Sequence, residues 1–168
     1  MKYDGIFFLA LGLFCVGCAT SKAPQPNVNI SGLQKLQIPG DLKLIFEANS
    51  AVMKHDYPGA EGLYTQAIAI NPNNTEAYLQ RGFIRREMKN AAGAADDGRK
   101  AVMLANIGLQ QEPGSAMLYH QRGMGERLLK DFDHAKDDIA KSLQLGGQAD
   151  WQTDLQAIVL EQKESLAR

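Results

Sequence analysis

The feature that most constrains this chain is an internal repeat. Tyr78 to Val102 aligns without a gap on Tyr119 to Leu143, 41 positions later, and 10 of the 25 pairs are identical. The pairs are Tyr78/Tyr119, Gln80/Gln121, Arg81/Arg122, Gly82/Gly123, Arg86/Arg127, Lys89/Lys130, Ala94/Ala135, Asp96/Asp137, Asp97/Asp138 and Lys100/Lys141. A weaker echo lies upstream at an offset of 34, where Tyr57-Pro-Gly-Ala60 maps onto Ala91-Ala-Gly-Ala94 and Ala67 onto Ala101. Units this short cannot each enclose a core, so they must stack and bury their faces on one another, with about three needed for stability. The chain has about that minimum.

Each unit offers two runs with apolar residues every three to four positions, the helical period. Turns such as His55-Asp-Tyr-Pro-Gly59 and Lys130-Asp-Phe-Asp133 split them. Small residues recur where two helices must approach closely: Gly82, Ala94, Ala101, Gly123 and Ala135. The spacing Ala60-x3-Tyr64-x2-Ala67-x4-Pro72, closed by Asn71-Pro72, resembles the tetratricopeptide repeat. The two later units supply that pattern's other half, an aromatic four residues before a glycine (Tyr78/Gly82, Tyr119/Gly123) and then Ala94 or Ala135. The resemblance implies an all-α fold, an α-solenoid of about three tetratricopeptide-like helix-turn-helix repeats at 41–74, 75–115 and 116–149. A capping helix is expected over 150–168, with Trp151, Leu155, Ile158, Val159 and Leu166 at helical spacing. The change of offset from 34 to 41 places seven extra residues between Val102 and Pro113. Seven residues are about two helical turns and keep the helix in phase. The second helix of the middle repeat is therefore predicted over Ala91 to Gln111, bent at Gly108 and projecting beyond the body as a ledge.

The N-terminus carries a different message. Residues 1–17 have one lysine near the start, an apolar run from Ile6 to Val16 and a small residue, Gly17, before Cys18. This is the plan of a secretory signal. The apolar run is 11 residues, about 16 Å as a helix, too short for a bilayer core of roughly 30 Å. Val16-Gly17-Cys18-Ala19 resembles a bacterial lipobox, although Cys15 stands where that pattern usually has leucine and Asp4 lies in the basic region. The resemblance implies cleavage before Cys18, a lipid on Cys18, and, from Ala19, sorting to the outer membrane. The alternative is a plain secretory signal with an incidental cysteine. Residues 18–40 are rich in Pro, Gly, Asn, Gln and Ser and read as a linker, with Leu33, Leu36 and Ile38 available to dock on the domain.

Composition narrows the function classes. Net charge is −1 from 18 basic and 19 acidic side chains, so nothing favours nucleic acid. The two cysteines, Cys15 and Cys18, cannot staple a domain. Arg81 and Arg122 each precede a repeat glycine, and Asp97 and Asp138 follow sixteen residues later. In the first unit both are missing together, replaced by Glu47 and Leu63. This points to structural ion pairs Arg81–Asp97 and Arg122–Asp138 between paired helices, where unpaired charge is costly. Adjacent acids on a helix diverge by about 100°, so Asp96-Asp97 and Asp137-Asp138 make poor metal or acid–base pairs. His55, His120 and His134 have no second ligand at metal spacing, and no nucleophile or phosphate-loop motif is present. No catalytic residue, metal or cofactor is expected.

A binding surface remains. In tetratricopeptide arrays the first helix of each repeat lines a concave groove, and by position this gives Ile45, Asn49, Val52, Leu79, Phe83, Arg86, His120, Met124 and Arg127. Such a surface suits an extended or helical peptide with apolar anchors and an acidic group. Alternatively, several of these side chains pack beneath the linker or the C-terminal helix. The expected function is a lipid-anchored interaction scaffold of the bacterial envelope, facing the periplasm, whose partner is another envelope protein or peptide. Known relatives of this design assist pilus or secretion machines or act as adaptors for cell-wall enzymes. The rival classes are a pilotin-like assembly factor, a self-associating structural protein using Ile107 and Leu109, and, disfavoured, a cell-wall hydrolase.

Overall fold

The computed structural model describes residues 38–167. The leader 1–17, Cys18 and the linker as far as residue 37 lie outside the described residues. Seven helices follow one another: α1 (Gly40–Met53), α2 (Tyr57–Ile70), α3 (Thr75–Glu87), α4 (Ala91–Gln111), α5 (Ala116–Leu129), α6 (Phe132–Gln144) and α7 (Trp151–Leu166). No strand occurs among the described residues, and no helix there is long and apolar enough to cross a membrane. Three helical hairpins, α1–α2, α3–α4 and α5–α6, are stacked and followed by α7.

The turn inside each hairpin is built the same way. His55, Lys89 and Lys130 adopt left-handed φ of 61°, 65° and 61°. The next residue, Asp56, Asn90 or Asp131, sends its amide back to Ala51, Arg85 or Glu126 at 2.8–3.0 Å, closing off the first helix. Its side chain then accepts from the amide three residues on, at 3.0, 2.9 and 3.4 Å, starting the second helix. One Asx residue therefore ends one helix and begins the next. Tyr57, Pro58 and Gly59 belong to the first turn of α2, where proline is tolerated because its missing N–H would have no partner. The predicted turn shortens accordingly to Lys54–Asp56.

Small residues set the spacing. A Cβ on Gly123 would lie 3.0 Å from the Ala135 carbonyl oxygen and 3.0 Å from Ile139, so only glycine lets α5 and α6 approach this far. Ala60, Ala67, Ala101 and Ala135 are completely buried. The core falls into three clusters, one around Tyr64 in the first hairpin, one around Leu79 and Leu128 between α3, α4 and α5, and one around Ile139 and Ile158 between α6 and α7.

Helix α4 runs over the range that the seven-residue insertion predicts. It is not a free ledge, however. Ala105 is fully buried, and a Cβ on Gly108 would come within 2.8 Å of Leu118, so the extra turns pack against the start of α5. The docking partners show what the insertion does. Arg81 of α3 donates to Thr65 at 3.0 Å, five residues beyond Ala60 on α2. Arg122 of α5 donates to Asn106 at 2.8 Å, twelve residues beyond Ala94 on α4. The third hairpin is thus seated seven residues, about 10 Å, further along its neighbour, with helix phase preserved.

Candidate functional site

Helices α1, α3 and α5 carry the side chains predicted to line the concave face, and they do not all reach it. Ile45 and Leu79 are core residues, 8% and 3% exposed. They point into the clefts between neighbouring helices, where packing is tightest, and so leave the binding list. Val52 is half-buried against the first core cluster. Asn49 is exposed and accepts a hydrogen bond of 2.5 Å from the Tyr64 hydroxyl, whose burial pushes its pKa up to about 12. Met124 is half-buried between the second and third clusters.

The remaining four are held together by α7. Phe83 lies beneath two guanidinium groups, Arg86 at 5.0 Å and Arg127 at 5.6 Å from the ring centroid, within cation–π range. Both arginines converge on Glu161 of α7, Arg127 at 2.6 Å and Arg86 at 3.3 Å. Four hydrogen bonds from these two cations surround this carboxylate. Burial works to raise its pKa, but the bond and charge from Arg127, then from Arg86, outweigh it, leaving the carboxyl below its ordinary value. Two turns earlier, Asp154 meets His120 Nε2 at 2.9 Å, with Arg127 Nη1 3.9 Å away. Trp151 stacks on the His120 ring at 4.2 Å and 17°. On the same face α7 is anchored by Ile158, fully buried against Ile139 and worth about 2–3 kcal/mol. Lys136 of α6 adds a bond to Gln162 at 2.8 Å.

The predicted groove is therefore divided. Its C-terminal half, formed by Arg86, His120 and Arg127, is covered by α7, which already supplies the acids and the aromatic ring expected of a ligand. Its N-terminal half stays open beside α1, where Leu42, Phe46 (66% exposed) and Met53 (78% exposed) are apolar and uncovered. A cleft of about 800 Å³ persists at the foot of α3, α5 and α7, edged by Lys89, Lys130 and Glu164. The sequence reading placed a capping helix at 150–168 but did not assign Trp151, Asp154 and Glu161 to the groove. Their spacing of three and then seven residues on one helical face was the available signal.

Arg81 and Asp97 form a two-pronged pair at 3.1 and 2.7 Å, and Arg122 and Asp138 form one at 2.5 and 2.7 Å. These four side chains lie between helices and away from the concave face. Two further charges escaped the sequence reading. Arg85 reaches Asp97 at 3.0 Å and Glu61 at 2.6 Å. Glu126 has a buried Oε2 with no hydrogen-bond partner. Among the described residues no cluster of three or more His, Cys, Asp or Glu could hold a metal ion.

Stacked hairpins with small residues at every crossing and a concave inner face define a helical-repeat solenoid. Residues 63–95, from α2 through α3 to the start of α4, match the family model of the tetratricopeptide repeat (TPR). The chain is similar in fold to the Sgt2 TPR domain from Aspergillus fumigatus, at 23% identity over 78% of this chain and 84% of that one, with TM-score 0.52. The first TPR domain of the human RPAP3 protein gives 24% identity, 74% and 95% coverage, and TM-score 0.51. The TPR2B-domain:pHsp70 complex of yeast Sti1 gives 17% identity, 76% and 98% coverage, and TM-score 0.50. No curated protein matches the sequence.

Proposed function

We propose that this chain is a non-catalytic interaction scaffold of the bacterial envelope, tethered by a lipid on Cys18 to the outer membrane and facing the periplasm. Its partner is another envelope protein or peptide, received on the concave face. The observation that carries this reading is the Phe83–Arg86–Arg127 cluster, in which two cations stacked on an aromatic ring hold a carboxylate on the inner face of the solenoid. Apolar surface flanked by cations that already bind an acid is what an acidic, apolar peptide needs. The open half beside α1 gives such a partner a first foothold. The yeast Sti1 TPR2B domain, of the same fold, is found in complex with pHsp70, which supports a peptide-binding role for this concave face.

The test is capture from solubilised envelopes on the immobilised chain, against a Leu42→Glu/Val52→Glu variant whose helicity is unchanged. A protein retained by the first and lost from the second is the expected result. An identical set of proteins on both removes the reading. Separately, Cys18→Ser should move the protein from the membrane to the soluble fraction, and a variant that stays on the membrane removes the lipid anchor.

One observation favours a second reading, self-association. Met103, Ile107 and Met117 expose their side chains at the junction of α4 and α5. Sedimentation that depends on concentration, abolished by Ile107→Glu, would establish it, and a monomer at all concentrations would dismiss it.

A further inference from the structure

Helix α7 differs from the others in how it is held. It buries two residues of 16, Trp151 and Ile158, whereas α3 buries six of 13. Most of its remaining hold on the inner face is ionic, through Glu161 on Arg86 and Arg127 and through Asp154 on His120. Its connection to α6 runs through Gly146 and Gly147, and Gly146 sits at φ 86°, a conformation that only glycine adopts readily. A helix joined by a glycine turn and held largely by ion pairs can leave as a unit: the cores around Tyr64 and around Leu79 and Leu128 contain none of its residues, and only the third, around Ile139, loses Ile158.

We propose that α7 is an exchangeable occupant of the groove. A partner enters by presenting an amphipathic helix of the same pattern, an aromatic, an acid three residues on and a second acid seven residues later. This deepens the scaffold reading and rests on it for the identity of the site. Being tethered, α7 acts at an effective concentration of the order of millimolar. A competitor in solution therefore sees its affinity reduced by the fraction of molecules with the groove open. A natural partner overcomes this by engaging the uncovered half beside α1 at the same time.

The test uses the full chain and a fluorescein-labelled peptide comprising residues 150–167. The unaltered chain is expected to show no uptake at about 100 µM peptide, because the tethered copy outcompetes it. A chain with Asp154→Lys/Glu161→Lys should bind the peptide at least tenfold more tightly, and adding Arg127→Gln should abolish the gain. A peptide carrying the same two lysines should not bind either chain. Equal uptake by the unaltered and charge-reversed chains, or a gain that survives Arg127→Gln, overturns the proposal. Hydrogen exchange reports folding: protection should fall in α7 and persist in α1 to α6. If the reversal unfolds α1 to α6, the milder Asp154→Asn/Glu161→Gln chain carries the test with at least a threefold gain. If that also unfolds them, α7 is an integral strut and the proposal fails. The peptide is the chain's own, so failed envelope capture with successful exchange would remove the scaffold reading and leave the exchangeable helix standing.

Discussion

The second and third hairpins share a plan and diverge at one point. In each, an arginine bridges to an aspartate sixteen residues later and to a polar residue on the preceding helix, Thr65 for Arg81 and Asn106 for Arg122. One turn further along, Arg85 occupies the register that Glu126 occupies 41 residues later. Arg85 joins Asp97 to Glu61, so every charge in that seam has an opposite. In the third hairpin the register of Glu61 is filled by Val102, and Glu126 is left beside Asp138 with an unpartnered oxygen. Burial first, and then the charge of Asp138, push the Glu126 pKa from 4.5 to about 7, with Arg122 and His134 opposing. The same backbone thus supports a fully paired seam and a frustrated one. Which arises depends on two positions, Arg85 or Glu126 on the inner helix and Glu61 or Val102 on its neighbour.

The largest expected effect comes from removing the shared aspartate. Asp97→Ala strands Arg81 and leaves Arg85 with Glu61 alone, and urea unfolding should show a loss of about 3–4 kcal/mol. Asp138→Ala should cost less, about 1–2 kcal/mol, because it relieves Glu126 and lets Arg122 turn to that carboxylate. Equal losses would break the distinction between the two seams. Within the second hairpin, Arg81→Met/Asp97→Leu should lose less than Asp97→Ala alone, since no buried charge is left unpaired.

Next in size is a pH effect confined to the third hairpin. The raised Glu126 pKa means that the folded chain holds a proton which the unfolded chain releases. Its contribution is fully present below pH 4.5 and is lost as pH rises through about 7. Discounted for partial solvent screening, Glu126→Gln should gain about 1–2 kcal/mol at pH 8 and almost nothing at pH 4. Parallel stability profiles for the two chains between pH 4 and 8 would dismiss the frustrated carboxylate. Glu126→Arg with Val102→Glu should rebuild the paired seam and flatten the same profile.

The smallest effect should be identical in both hairpins, because it belongs to the backbone they share. Lys89→Gly and Lys130→Gly each relieve a left-handed side chain and should stabilise by about 0.5–1 kcal/mol. A destabilisation at either position would mean that the lysine side chain matters more than its backbone.

Much of this could be read from the residues. Glycine and alanine at fixed positions mark where helices cross, and the two Arg–Asp pairs follow from their joint absence in the first unit. A seven-residue insertion announces a longer α4 because it keeps phase. What could not be read is which face of a helix meets which neighbour. Ile45 and Leu79 share the period of the groove residues, yet they sit deep in the clefts between helices, and a rotation of a few tens of degrees separates the two fates. The role of α7 was hidden for a related reason. It lies outside the repeat, so no second copy shows where Trp151, Asp154 and Glu161 point. Arg85 and Glu126 were visible only as a mismatch, and a mismatch between repeats gains meaning once the partner helix is known.

The seating of α5 two turns further along α4 has a consequence for any long guest. The inner helices are staggered lengthwise by about 10 Å between the second and third hairpins. A guest laid straight across them meets α3 and α5 at points about two turns apart in their own numbering. Equivalent residues of the two repeats therefore do not face equivalent positions of the guest.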